Sequence, residues 1–299
     1  MSTLAITSAI ELGLFYGIMT LGIFISYRIL DIPDLTVDGS FTLGAGVSAM
    51  LSLAGYPALG ILFGFLAGGL AGVVTAILQT KLKVQPILAG ILTMTGLYSI
   101  NIMVMGGKPN LPLTKSGVIF SRIEEVLQFS LAPMVVGIIF VMIVVILVVA
   151  FLYTRLGLAI RATGDNPEMV SASSINVNMT KVIGLALANA LVGLSGALLA
   201  QYQCFADVSM GVGMVVMGIA SLIIGEVIFG KKSIGRNAIA AVVGSIIYRL
   251  IIGAAFEINI SASSMKLITA IIVALAISYP AIKEQIHLNK RKKRGAYHA

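Results

Sequence analysis

Few residues in this chain have the type and spacing to do chemistry. The stretch GEVIFGKKS, residues 225 to 233, sets Gly225, Gly230 and Lys231 at the spacing of a phosphate-binding loop. Lys232 stands where Ser or Thr must coordinate magnesium, and the stretch closes an apolar run instead of following a strand. An ATP site in this chain is therefore not expected. The two histidines, His287 and His298, both lie in the tail, so no Ser-His or Cys-His pair can form in the apolar body. Cys204 is the single cysteine, which rules out an internal disulfide and a cysteine metal cluster. No metal site, no resident cofactor and no catalysis by this chain are expected.

What remains is polar groups set in apolar runs. Glu11, Asp38 and Glu226 carry charge; Thr93, Thr95, Tyr98, Asn101, Asn189 and Ser195 do not. Charge at membrane depth is costly and faces a bundle interior or a watery path. The plainer use of the neutral groups is interhelical hydrogen bonding, about 0.6–2 kcal/mol each. Asp38 stands out, because Ser40 and Thr42 follow it and Asp31 and Asp34 precede it. Pro33 and Gly39 are expected to break the helix there, and free backbone at membrane depth survives only where it lines a cavity or is buried in protein. Asp38, Ser40, Thr42, Thr93, Tyr98 and Asn101 are the candidate pathway residues.

Apolar helices must hold these groups. Of 299 residues, 58% are apolar and 11% charged, against about 25% charged in a soluble domain. So little charge cannot cover a water-facing surface, and lipid is the main solvent. Solid apolar runs such as Val135 to Leu152 point to spanning helices and exclude the alternating segments of a membrane β-barrel. The whole chain, 1–299, is read as one all-α transmembrane domain of about 8–10 spans. Nine are placed, at about 5–27, 38–54, 57–80, 86–105, 132–153, 181–201, 212–229, 237–254 and 265–282. The N-terminus reads as the first span and not as a removed signal peptide. Gly60, Gly64, Gly68 and Gly72, four apart, give the third span a face that lets another helix approach closely. A faint echo links DGSFTLGAG (38–46) with DVSMGVGMV (207–215).

The net charge of +8 concerns membrane orientation. Placing 81–85, 154–181, 230–236 and the basic tail (about 283–299) on one side collects fourteen of the twenty Lys and Arg residues there. Lys108, Lys115, Arg122, Arg249 and Lys266 fall on the other. The first side is then cytoplasmic, with the C-terminus inside and the N-terminus outside. The stretch RILDIPDLTVDGS (28–40) should also be cytoplasmic, yet it is acidic, so part of it is expected to lie within the protein.

The loop of about 154–181 is the other departure from apolar sequence. Asn166 can cap a helix, Pro167 takes its first position and Glu168 suits its first turn. A short amphipathic helix is predicted, stopping near Asn176. Gly157, Arg161, Ala162, Gly164, Asn166, Pro167, the small Ala172 and Ser173, and Ile175-Asn176-Val177 with Lys181 resemble the cytoplasmic loop of ABC-transporter permeases of the branched-chain amino acid and ribose importer type. The likeness continues through GLSGALLAQY (193–202) and MVVMGIASLIIGEVIFGKKSIGRNAIAAVVGSIIYRLI (214–251), and covers nearly the whole chain. DIPDLTVDGSF stands at the family's broken segment after the first span. Its form is closest in look to permeases paired with tryptophan- or tyrosine-type binding proteins.

The resemblance implies a permease subunit of a bacterial plasma-membrane importer that moves an amino acid by alternating access, with an aromatic one suggested. Arg161, Gly164, Asp165, Asn166, Pro167 and Glu168 would form a coupling helix that docks on a separate ATPase subunit. ATP and magnesium would be held by that partner. The other implied partners are a second permease copy, in a homodimer sooner than a heterodimer, and an extracytoplasmic substrate-binding protein. The outer loop of about 106–131, with Lys108, Lys115, Arg122, Glu124 and Glu125, is the expected docking surface for the binding protein. The rival expectation is an ion-coupled secondary transporter, working without an ATPase, with Glu11, Asp38 or Glu226 as its ion site.

Overall fold

The computed structural model describes residues 3–113, 118–121, 132–231 and 233–257, together with 267, 269–271, 274 and 278. Eight long helices occupy the places of the first eight expected spans. They are α1 (Thr3–Ile23), α2 (Thr36–Leu53), α3 (Pro57–Thr80), α4 (Pro86–Val104), α5 (Ala132–Tyr153), α8 (Val177–Gln203), α9 (Met214–Phe229) and α10 (Ile234–Glu257). Two shorter helices, α6 (Arg155–Asp165) and α7 (Pro167–Ala172), fill the loop between α5 and α8. Strands β1 (Asn110–Pro112) and β2 (Phe205–Asp207) pair antiparallel. Among the described residues, six helices are long and apolar enough to cross a membrane, so the chain is an all-α, multi-pass membrane protein. Of the expected ninth span (265–282) only 267, 269–271, 274 and 278 are described, and the basic tail and the outer-loop residues Lys115, Arg122, Glu124 and Glu125 lie outside the described residues.

Burial divides the helices into a centre and a periphery. The spanning windows of α1 and α8 are 83% and 78% buried, and those of α4 and α5 only 28%. α1 packs on α10, α8 and α5, while α2, α3 and α8 form a second tight group. The glycine face of α3 makes that group: a Cβ on Gly64 would lie 2.7 Å from the Ala197 Cβ, and one on Gly68 would lie 2.9 Å from the Gly193 Cα. Backbones this close need small residues on both sides. Ser48 and Gln201 then tie α2, α8 and the start of α3 together: Gln201 Nε2 donates to Ser48 Oγ at 2.9 Å and to the Pro57 carbonyl at 2.8 Å.

One end of the bundle carries the broken segment. α1 passes into a π-turn over Phe24–Ile29, where Leu30 N–H donates to the Ile25 carbonyl. Asp31 then takes a left-handed backbone at φ 54°, and α2 starts at Thr36. Leu30, Ile32 and Asp34 are buried, so the acidic stretch does lie partly within the protein. Gly39 does not break the helix, contrary to expectation. It sits inside α2, where a Cβ would press to 2.8 Å from a Leu97 methyl on α4. It serves a close helix crossing, and the break belongs to residues 30–35. Leu30, Ile32, Ala76, Ile160 and Leu185 cluster at this end, joining the broken segment, the end of α3, α6 and α8.

At the opposite end the antiparallel β1–β2 pair lies by a cluster of Ala49, Met105, Leu111, Val118 and Ala200. Ser209 donates to Asp207 through its backbone N–H at 2.8 Å and through its hydroxyl. Those bonds hold the Asp207 carboxyl below the usual carboxylate range.

Candidate functional site

The polar residues of the broken segment gather around Asn189 of α8. Asn189 Nδ2 donates to Asp34 Oδ2 at 2.6 Å, and its Oδ1 accepts from Ser40 Oγ at 2.7 Å. Asp34 Oδ1 accepts from the Thr36 N–H at 2.9 Å, and Thr36 and Thr75 share a hydroxyl hydrogen bond of 2.7 Å. All of these groups are buried, and each bond satisfies a donor that would be costly to leave unpaired. Together they pin the start of α2 to α3 and α8.

Asp38 faces the other way, onto α9. Its Oδ2 accepts from the Gly213 N–H and its Oδ1 from the Val215 N–H, both at 2.9 Å. Thr42 Oγ1 accepts from the Gly211 N–H at 3.0 Å. The residue before α9 is Gly213, at φ 86° and with no side chain to cap the helix. A carboxylate from α2 therefore caps α9 across the bundle, where the helix dipole favours negative charge. The two stretches that echo one another in sequence, 38–46 and 207–215, meet here.

α9 itself has 16 residues, or about 24 Å of helix, less than the roughly 30 Å of a hydrocarbon core. At its far end Glu226 is buried and bridged by two cations, Arg28 Nε and Lys231 Nζ, each 3.0 Å away. Lys231, the lysine of the phosphate-loop-like spacing, is thus engaged with a carboxylate at a helix end.

The expected pathway residues do not form one cluster. Asp38 and Thr42 come together on the 211–215 segment, while Ser40 points to Asn189. Asn101 Nδ2 donates 3.2 Å to the Gly39 carbonyl, and Thr93 bonds back to Ala89 within α4. Tyr98 lies on the exposed face of α4. Glu11, named for the rival ion site, accepts from the Tyr202 hydroxyl at 2.5 Å.

The loop residues form a second site at the end that carries the broken segment. Thr154 caps α6 by accepting from Gly157 N–H at 3.2 Å. Asn166 caps α7 by accepting from Glu168 N–H at 3.1 Å and Met169 N–H at 3.0 Å, with Pro167 in the first turn. Asp165 to Met169 are exposed, while Thr163 and Val170 are buried behind them. Thr163 is held to Thr180 of α8 by a 2.8 Å hydroxyl pair. The loop thus presents a polar knob on a fixed base. Gly164 backs the knob: a Cβ there would strike the Ile29 carbonyl oxygen. Arg28, Asp31, Arg161, Gly164, Asp165 and Asn237 border a polar cavity of about 470 Å³ between knob, broken segment and α10.

Sequence reasoning missed α6, the π-turn and the place of Arg249. The first two have weak local signals. Arg249 had a clear one: it lies inside the eighth expected span, yet it was counted as an outer-side charge. The structure sets it within α10, over the ring of Tyr16.

The fold is a polytopic membrane bundle with a broken segment after its first span, a short helix capped from across the bundle and a polar knob at one end. The chain belongs to the family of branched-chain and ribose-type ABC permeases: the family described as branched-chain amino acid transport system, permease component, matches residues 5–277. A tyrosine transport system permease protein of Clostridioides difficile is 41% identical over 90% of this chain and 88% of its own length. A ribose import permease of Escherichia coli K12 is 26% identical over 91% and 81%. A nucleoside ABC transporter permease of Lactococcus lactis is 27% identical over 73% and 72%. No solved structure matches the chain.

Proposed function

We propose that this permease imports an amino acid, with tyrosine and its aromatic relatives the best match, driven by ATP hydrolysis on a separate ATPase subunit. The observation that carries it is the capped knob Asp165–Met169, whose backing residue Gly164 rests on the broken segment. The knob is the coupling helix, with Arg161, Gly164, Asp165, Asn166, Pro167 and Glu168 on or beside the ATPase docking surface. Motion of the knob passes to Ile29 and Leu30, then through residues 31–35 to α2, whose Asp38 holds α9. The ion bridge from Arg28 to Glu226 links the same segment to the other end of α9. Two permease copies pair as a homodimer with an extracytoplasmic binding protein above, in a bacterial plasma membrane with the C-terminus inside. The identity to a tyrosine transport permease supports the substrate class.

The test is uptake of labelled tyrosine by proteoliposomes holding the permease with a partner ATPase and a substrate-binding protein. Uptake should require ATP inside or outside according to orientation, and should persist when proton and sodium gradients are collapsed. Gradient-driven uptake without the ATPase sinks the importer and revives the secondary transporter.

Orientation has its own check. With Cys204 removed, a cysteine at exposed Ser174 should react with a membrane-impermeant thiol reagent in inside-out vesicles only. One at Ser116, which lies outside the described residues, should react in intact spheroplasts only. Labelling of the Ser174 position from outside inverts the topology.

A further inference from the structure

Arg249 has no task in the mechanism above. It lies within α10, eight residues before its last residue Glu257, in a helix long and apolar enough to span the membrane. Its guanidinium carbon sits 3.8 Å from the centre of the Tyr16 ring. Tyr16 in turn stacks on Phe41, with ring centres 6.0 Å apart. Phe41 is one turn beyond Asp38 in α2, so the cation stands near the depth at which α9 is capped. Among the described residues, no carboxylate lies within ion-pair distance of Arg249. Its buried Nε has no hydrogen-bond partner.

Stacking on a tyrosine face returns part of the cost of such a charge. It does not replace a counter-ion, and a charged side chain within a spanning helix is a candidate for a functional site. A cavity of about 430 Å³ opens beside it, bounded by Val212, Gly213, Met214, Met217, Ile252 and Arg249 itself. Its walls are mostly apolar, with Arg249 the one charged group among the described residues that line it. One cation in an apolar pocket is the arrangement that orients a ligand with a single anionic group and a large apolar body. Arginine also suits a carboxylate through paired N–H donors.

We propose that Arg249 binds the carboxylate of the transported amino acid within the membrane-spanning part of the bundle, with the apolar side chain against Val212, Met214, Met217 and Ile252. The amino-acid substrate rests on the importer reading above; the carboxylate site stands on geometry alone. A lipid phosphate shares the anionic chemistry but belongs at the membrane surface, whereas Arg249 stands eight residues inside the end of α10.

The test is read on the purified permease, without ATPase or ATP. A cysteine replaces Val216, which borders the same cavity, in a background lacking Cys204. A negatively charged methanethiosulfonate should react faster than its positive counterpart. Arg249→Gln should slow the negative reagent by about tenfold, the scale of a unit charge near 10 Å at an effective dielectric of about 20, and speed the positive one. L-Tyrosine should slow the reaction, and tyramine, which lacks the carboxylate, should not. Arg249→Gln should abolish the protection and Arg249→Lys should keep part of it.

Equal protection by tyramine, protection that survives Arg249→Gln, or a cysteine that neither reagent reaches overturns the proposal. So does protection that follows anionic lipid content and not tyrosine. Because no ATP is involved, failure here leaves ATP-driven uptake standing, and failure of ATP-driven uptake leaves this binding result intact.

Discussion

Gly164→Val is expected to cut amino-acid uptake by about tenfold or more while the permease still inserts, binds its ATPase and permits ATP hydrolysis. The cause is local. A Cβ on Gly164 would strike the Ile29 carbonyl oxygen and lie 3.0 Å from the Leu30 Cα. Both are backbone atoms, so no side-chain rotation relieves the clash; the loop must shift. Overpacking of this kind costs about 1–3 kcal/mol, and each 1.4 kcal/mol is about a factor of ten in an equilibrium. The displaced groups are the ones through which knob and broken segment touch, so the loss falls on coupling. Gly96→Ala is the control, because nothing lies within 4 Å of its Cβ position. It should transport normally. Wild-type uptake by Gly164→Val removes this contact from the coupling route. A variant that no longer inserts or assembles makes Gly164 a folding residue instead.

Much of this arrangement was legible in the sequence because lipid imposes a simple rule. Apolar runs of spanning length must be helices, and their ends fall at Pro57, Pro86 and the charged loops. The knob was legible for a different reason. Asn166 and Pro167 state a helix start in local chemistry, and the structure builds the cap those residues specify. α6 was missed because Gly157 and Gly164 weaken any helical signal, and its place depends on packing against Leu30 and Leu185. The role of Asp38 was half legible. A carboxylate at the head of a helix reads as that helix's own cap, and nothing local to residue 38 says that it caps a helix about 175 positions away. Such pairings are set by tertiary packing, which one sequence does not print. Arg249 failed for a simpler reason: a count by loops treats every cation as a surface charge, and the inside of an apolar run is where that assumption breaks.

The substitutions at Asp38 separate a structural cap from a charge in the path. Both carboxylate oxygens are used, one on the Gly213 N–H and one on the Val215 N–H. Asp38→Asn keeps one acceptor and turns an amide N–H₂ toward a donor, so it loses one bond and the favourable dipole interaction. Asp38→Ala loses both bonds. Each abandoned N–H costs about 1–3 kcal/mol where water cannot reach it. Gly213 brings no side chain of its own, and the helix has no substitute cap. Amide exchange at Gly213 and Val215 should therefore quicken in the order wild type, Asp38→Asn, Asp38→Ala, by about tenfold per lost bond. Uptake should fall in the same order, with the assembled complex intact. Thr42→Val removes the acceptor for the Gly211 N–H and should show a milder form of the same defect. A charge lining the path predicts a different pattern: equal loss of uptake in Asn and Ala, unchanged exchange at α9 and a silent Thr42→Val. That pattern would strip Asp38 of its capping role and make it a pathway carboxylate. The graded pattern makes the start of α9 the part that the broken segment holds in place, so that movement of the knob reaches the middle of the membrane through one carboxylate.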